Sequence, residues 1–142
     1  MSLIVEIAEA VVTELNSMDL KSPLQAQRHY VPSFELKDMS DLRTTVVPKG
    51  LVISKSDRSN NTFDVQIDVA IQKKFNNGSN AEIDPLMELV QEIGDQFRLR
   101  RLAAYPAAHW IRTENTPIYS PEHWDELRQF TSVLTFTFRV IR

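Results

Sequence analysis

The chain has 142 residues, of which 42% are hydrophobic and 25% charged, and its net charge is -3. These values are typical of one globular domain with a single core, and they exclude fibrous and intrinsically disordered classes. An acidic chain lacks the positive field that attracts proteins to a phosphate backbone, so we expect no direct nucleic-acid binding. The chain has no cysteine, which excludes disulfides, thiolate nucleophiles and cysteine-rich zinc sites.

The N-terminal segment predicts an amphipathic helix. Apolar residues recur at spacings of three and four from Leu3 to Leu15, and Ser2 can serve as the N-cap. Three glutamates interrupt the segment, which distinguishes it from a secretory signal peptide. No run of the sequence approaches the roughly 18 apolar residues that span a membrane. We therefore expect a protein that is made and assembled in the cytoplasm, with no membrane partner.

Val5 and Val12 lie outside the main apolar stripe of this helix. They form a second, narrower apolar line along it. The line either widens the face that packs on the core or contacts another subunit.

The next segments predict three strands. Residues 25–36 predict an irregular strand, and Pro32, which has no N–H to donate, indicates either a sheet edge or a bulge at that point. Residues 43–53 predict a strand that bends at Pro48 and Gly50. Residues 54–62 contain no apolar side chain and predict an exposed, mobile loop. In the following strand, residues 63–72, apolar side chains alternate with polar ones, so residues 43–72 predict a long hairpin with a polar tip.

A second helix is predicted after the turn at Asn77 and Gly78, a dipeptide suited to positive φ. Its N-terminus is capped either by Asn80 or by Asp84 followed by a proline. Its apolar stripe consists of Leu86, Leu89, Val90, Ile93 and Phe97. Gly94 lies inside the helix at a cost of about 1 kcal/mol relative to alanine. We interpret it as a close approach of the helix backbone to the sheet or to the first helix.

The last third of the chain predicts loops around a short strand near residues 108–114, and then one long strand. In Phe130–Ile141, large apolar side chains alternate with threonines, which is typical of a central strand. The predicted order is α-β-β-β-α-β-β. This order indicates a single α+β domain over residues 1–142, in which a mainly antiparallel sheet of four to five strands has both helices on one face.

The sequence contains no motif for catalysis, metal binding or cofactor binding. Serine-hydrolase, P-loop, dinucleotide and HExxH patterns are all missing. Asp64 and Asp68 share one face of a strand and are possible acid/base groups, although solvated surface charges are much commoner. His123, Asp125 and Glu126 offer metal-ligand atoms but do not face one point from a single helical turn. We therefore expect no enzyme, no metal and no cofactor.

Two large aromatic residues, Trp110 and Trp124, lie in a proline-rich stretch. Such rings either pack into the core or contribute to an interface. The sequence alone leaves both alternatives open.

Four segments of the sequence have a familiar order and texture. They are SLIVEIAEAVVTELN, then VVPKGLVIS followed by a polar gap and FDVQIDVAIQKK, then NAEIDPLMELVQEIGD, and finally TENTPIYSPEHWDELRQFTSVLTFTFRV. Together they resemble the small tail proteins of phages and prophages, in particular the tail terminator, or tail completion, proteins of long-tailed phages such as lambda. The similarity spans nearly the full chain, and it is a similarity of segment order without a catalytic signature.

The resemblance implies a structural virion protein that acts in the tail or neck without catalysis or a cofactor. Such a subunit forms a homohexameric ring on the last ring of tail tube protein, stops tube growth and presents a surface to the head completion or connector protein. The alternatives are another head–tail joining protein, such as a stopper or adaptor, and a small ligand-binding or hydrolytic α+β domain. The resemblance transfers no residue roles, so we select candidate interface residues from their pattern in this chain: Lys55, Asp57, Arg58, Asn60 and Asn61 in the polar loop, together with Val5, Val12, Trp110 and Trp124.

Overall fold

The structure, a computed structural model, describes residues 2–21, 24–30 and 42–142. The elements in chain order are α1 (Leu3–Ser17), β1 (Ala26–Arg28), β2 (Arg43–Lys55), β3 (Asn61–Lys74), α2 (Asn80–Phe97), β4 (Arg101–Leu102), β5 (Tyr105–Glu114), α3 (Pro121–Leu127) and β6 (Gln129–Ile141). The predicted single α+β domain is confirmed.

The strands form one mixed sheet in the order β1-β2-β3-β6-β5-β4. β1 runs parallel to β2, and every other neighbouring pair is antiparallel. Helix α1 contacts β1 and β2 near one edge of the sheet and β4 and β5 near the other. The sheet therefore curls around α1.

The core lies between one face of this sheet and the two long helices. Apolar residues of β3 and β6 pair across the strands, for example Ile67 with Phe136 and Val65 with Phe138. All four of these side chains are fully buried, and the buried stripes of α1 and α2 belong to the same core. The predicted central strand and both predicted helical faces are therefore confirmed.

Several details of the predicted fold are wrong. In the part of the chain that the structure describes, the sheet has six strands, not four or five, and a third helix precedes β6. The two-residue β4 and the seven-residue α3 were missed because elements this short show no hydrophobic period. The predicted first strand is only Ala26–Arg28, and the part of that prediction from residue 31 onward, including Pro32, lies outside the described residues.

The start of α2 also differs from the prediction. Its N-cap residue is Ser79, not Asn80 or Asp84. The Glu82 carboxylate accepts hydrogen bonds from the backbone N–H groups of Asn76 and Asn77, and these bonds lower the pKa of Glu82. A carboxylate in the first turn thus fixes the preceding loop at the positive end of the helix dipole.

The β2–β3 hairpin is longer than predicted. Both strands continue into the predicted loop, which shrinks to residues 56–60. The bend at Pro48 and Gly50 is confirmed, because the pairing with β3 shifts register between these two residues. The outer part of the hairpin, residues 50–64, is called the hairpin arm below.

Candidate interaction surfaces

The hairpin arm exposes aliphatic side chains on both of its faces. Leu51, Val52 and Ile53 are 43%, 62% and 56% exposed, respectively. Leu51 pairs with Val65, which is in the core, and Ile53 pairs with Phe63. These two side chains therefore extend the core-side face of the sheet into solvent, while Val52, on the opposite parity, faces the reverse side.

The tip of the arm is shaped by its own hydrogen bonds. The Asp57 carboxylate accepts from the backbone N–H groups of Ser59 and Asn60, both at 2.8 Å, and from the Asn60 side-chain amide. These bonds lower the pKa of Asp57. Lys55 and Arg58 are exposed beside it. The predicted exposure of the tip is confirmed, and its mobility stays a prediction.

A further cation lies beside the arm, next to Asn61. Asn61 and Arg142 exchange two backbone hydrogen bonds, at 2.7 and 2.9 Å. The Arg142 guanidinium lies 5.0 Å from the centre of the Phe63 ring, within the range of a cation–π interaction. The arm therefore combines exposed aliphatic side chains with Lys55, Arg58 and Arg142.

A groove of about 650 Å³ lies between α2 and the β5–β6 part of the sheet. Its lining includes the apolar side chains of Met87, Val90, Trp110 and Leu134. Exposed carboxylates project from α2 along it: Asp84, Glu88 and Asp95, with Arg98 at the end of the helix. The groove is therefore an apolar channel with a mainly acidic rim.

Gly94 forms part of this groove. In the described part of the chain, no atom lies within 4 Å of the position that a Cβ would occupy at Gly94, outside its own helical neighbourhood. The predicted close approach of backbone is therefore wrong. The missing side chain widens the groove instead.

The polar groups of Trp110 and Asn115 in the groove are engaged within the chain. The Trp110 indole N–H donates to the Thr113 hydroxyl at 2.8 Å. The Asn115 amide donates to the Ser132 hydroxyl at 3.0 Å and to the Val133 carbonyl at 2.8 Å. The lining of the groove thus offers mainly apolar contact, and its charge lies on the rim.

The structure does not bring all the candidate interface residues together. Lys55, Asp57, Arg58, Asn60 and Asn61 cluster at the end of the hairpin arm. The other four candidates lie elsewhere: Val5 and Val12 on α1, Trp110 on β5 and Trp124 on α3.

Each of these four side chains is half-buried. Val12 packs against the core, and Val5 is less engaged with it. The ring of Trp124 lies 4.4 Å from that of Phe75 and 5.0 Å from that of Tyr119, measured between centroids. Trp124 therefore packs within an aromatic cluster, while Trp110 lines the groove.

The paired carboxylates on β3 belong to cross-strand contacts. Asp64 accepts two hydrogen bonds from the Arg139 guanidinium, at 2.8 and 3.0 Å. These bonds lower the pKa of Asp64 and raise that of Arg139. Asp68 accepts from the Thr135 hydroxyl at 2.7 Å. Both carboxylates therefore tie β3 to β6 on the face of the sheet that points away from the helices.

The histidines do not converge. His123 lies 2.8 Å from the Thr131 hydroxyl through its Nδ1 atom, and His109 is on β5. Within residues 2–21, 24–30 and 42–142, no three potential ligand side chains are placed to hold a metal ion. Over the same residues, no helix is long and apolar enough to cross a bilayer.

Sequence reasoning missed two features of these surfaces. The exposure of Leu51 and Ile53 depends on where the helices end over the sheet. The alternation of apolar and polar residues in the sequence does not show this. The groove had one available signal, Gly94 within an otherwise regular helical stripe. A glycine on the face of a helix beside its apolar stripe indicates either a close contact or open space.

Comparison of the sequence with protein-family models and with curated proteins finds no match to this chain.

Proposed function

We propose that this protein is a phage tail terminator, a subunit of a ring that caps the tail tube, ends its polymerisation and joins the tail to the head. The resemblance of segment order over nearly the whole chain supports this function. The observation that carries the proposal is the hairpin arm, whose Leu51, Val52 and Ile53 stand in solvent. Exposed aliphatic side chains on a projecting hairpin are typical of a protein that completes its packing in an assembly.

The arm offers a useful but modest energy of association. Full burial of a Leu, Val or Ile side chain contributes about 1.5–3 kcal/mol. Since Leu51 and Ile53, which share one face of the arm, are about half exposed, their burial in one contact would contribute roughly 1.5–3 kcal/mol before the cost of association is subtracted. A ring gives every subunit such a contact, because each presents its arm to one neighbour and receives an arm from the other.

In this proposal the ring makes three kinds of contact. Its subunits, expected to be six, contact one another, one face of the ring contacts the tail tube protein, and the opposite face contacts the head completion or connector protein. The protein works in the tail or neck of the virion after assembly in the host cytoplasm. Its surfaces perform the function by binding, and no bond of a substrate changes.

Deleting the gene from the phage or prophage that carries it tests the proposal. Tubes without a terminator should lose their uniform length, and electron microscopy measures this directly. Supplying the wild-type protein should restore the length, and a matched variant with Leu51→Asp and Ile53→Asp should not. Tails of unchanged length after deletion would remove the proposal.

A second candidate within the same class is a stopper or adaptor, which joins heads to tails without controlling tube length. The shared observation is again the exposed arm, which suits any ring-forming neck protein. Under this candidate, the deletion should leave tails of normal length that fail to attach to heads. Electron microscopy of the same lysate distinguishes the two.

The groove beside α2 favours a third candidate from another class, a small ligand-binding domain. Its volume of about 650 Å³ lies in the range of small-molecule sites. A thermal-shift screen of the purified protein against metabolite libraries tests whether the groove binds a small molecule. A ligand that raises the melting temperature of the wild type but not of Trp110→Ala would favour it.

A further inference from the structure

We propose that the groove beside α2 receives the hairpin arm of a neighbouring copy of this chain, and that this contact joins subunits head to tail. The inference deepens the proposed ring and rests on it for the biological setting. The self-contact is nevertheless a property of the chain, so it can be measured without tails.

The two surfaces match in chemistry. The arm supplies exposed Leu51 and Ile53 on one face, and the groove supplies Met87, Val90 and Trp110. Burying aliphatic side chains against an apolar surface removes both from water. The space left at Gly94 gives an incoming side chain room to approach the helix backbone.

Charge gives the contact a preferred occupant. The rim of the groove presents Asp84, Glu88 and Asp95, with the cation Arg98 at the end of the helix. The arm presents the cations Lys55, Arg58 and Arg142, while the Asp57 carboxylate accepts hydrogen bonds within the tip. Opposite charges around an apolar centre favour this pairing over pairing of two arms or two grooves.

The two surfaces lie far apart on one molecule. Ile53 is level with Val140 across the sheet, because both pair with Phe63. Leu134 in the groove lies six residues earlier in β6, roughly 20 Å along the strand. Trp110 pairs with Phe138 at the level of Leu51, but β3 and β6 lie between Trp110 and Leu51 in the sheet. An arm therefore reaches the groove of another copy and not its own. Two different complementary patches give a heterologous contact, which generates rings or filaments.

A small molecule is a poorer occupant. A specific small-molecule site needs polar groups that converge on the ligand. The Thr113 hydroxyl already accepts from Trp110, and the Asn115 amide donates to β6. The charges stand on the rim, where they suit the cationic side chains of an inserted segment.

Cysteine cross-linking tests the contact, since the chain has no native cysteine. Ile53→Cys is made in one copy and Gly94→Cys in a second copy that carries a larger tag. Both positions lie outside the core, and circular dichroism checks that each variant is folded. The two are mixed at about 1 mM, a concentration suited to a weak contact, and treated with a short bis-maleimide. The expected product is the mixed-size dimer.

A matched pair controls for random collision. Thr13→Cys, at an exposed position of α1, replaces Gly94→Cys and should give at least tenfold less mixed dimer. The chain with both Ile53→Cys and Gly94→Cys should form a ladder beyond the dimer, because a head-to-tail contact continues. Equal yields with Thr13→Cys, or a product that stops at the dimer, would overturn the inference.

The outcome is independent of the deletion experiment. A cross-linked ladder together with unchanged tails would keep the self-contact and remove the terminator function. If the deletion alters tail length but the cross-link between Ile53→Cys and Gly94→Cys forms neither in solution nor in assembled tails, the terminator function stands and this contact is overturned. Charge exchange adds a second measurement: Lys55→Glu should lower the cross-linking yield several-fold, and Glu88→Lys in the receiving copy should restore it.

Discussion

Replacing Phe136 by alanine tests the core on which the hairpin arm is built. Phe136 is fully buried, and its ring centroid lies 4.6 Å from that of Phe97 and 6.2 Å from that of Phe138. The substitution removes a ring at the point where α2 meets the central strand. Loss of a buried phenylalanine costs about 3–5 kcal/mol, because apolar burial is lost and the cavity collapses only partly.

This cost is a large part of the 5–15 kcal/mol that typically stabilises a domain. Urea unfolding followed by circular dichroism measures it, and the melting temperature should fall by about 10 °C or more. The control is Ile53→Ala on the hairpin arm, where the side chain is 56% exposed. It should change the free energy of unfolding by less than about 1 kcal/mol. Equal costs for the two variants, or a cost below about 1 kcal/mol for Phe136→Ala, would refute the assignment of core and arm.

Three further predictions concern the tip and the loop before α2. Lys55→Glu combined with Arg58→Glu should weaken attachment to tail tubes in a co-sedimentation assay. The melting temperature should stay nearly unchanged, because exposed charges contribute little to stability. A fall in melting temperature as large as the loss of attachment would contradict this. The pKa of Glu82 is lowered from 4.5 by backbone hydrogen bonds, so its contribution is complete above that pH and is lost as the pH falls through the lowered folded value. Glu82→Gln should therefore flatten the acid side of the stability–pH curve, and an unchanged curve would argue against these bonds. Gly78 has a φ of 69°, and a Cβ there would lie 2.9 Å from the Trp124 ring. Gly78→Ala should therefore lower the free energy of unfolding in urea by about 1–3 kcal/mol. A neutral effect would show that the ring moves freely.

The sequence predicted the fold best where one physical signal dominated. Alternation over Phe130–Ile141 reflects an apolar face and a threonine-rich face of one central strand, and the three-four spacing in α2 reflects a single buried face. The prediction failed where several short-range signals competed. Asn80 and Asp84 are both good cap residues, yet Ser79 occupies the cap because Glu82 binds the preceding loop. That interaction depends on the shape of the loop, and capping preferences of single residues do not predict the shape of a loop.

The candidate surfaces were harder to predict for a different reason. Alternation assigns Leu51 and Ile53 to the core-side face of β2, and the structure agrees. Whether that face is covered depends on the lengths and crossing positions of the helices, which are tertiary properties. The groove arises in the same way, from the separation of α2 and β5 around Trp110. The local sequence therefore identifies which face of a strand is apolar, but not whether helices pack over that face.

The energy of the arm determines how such a ring would assemble. Burial of the half-exposed Leu51 and Ile53 contributes roughly 1.5–3 kcal/mol, and the translational and rotational freedom lost on association reduces the net free energy, so the dissociation constant is about 1 mM or weaker. We therefore expect the purified protein to be monomeric at micromolar concentration in sedimentation velocity.

Binding to the end of a tail tube would change this balance. Subunits held side by side on one tube end meet at a high effective concentration, typically millimolar, so the same weak contact becomes sufficient once the tube supplies the template. Each added subunit then forms a contact with its predecessor, and the last subunit forms two, because it closes the ring. Weak self-contact would thus confine ring formation to finished tubes and leave growing tubes and free subunits uncapped. A stable hexamer at nanomolar concentration without tubes would contradict this account, since the exposed arm would then be too small to explain the assembly.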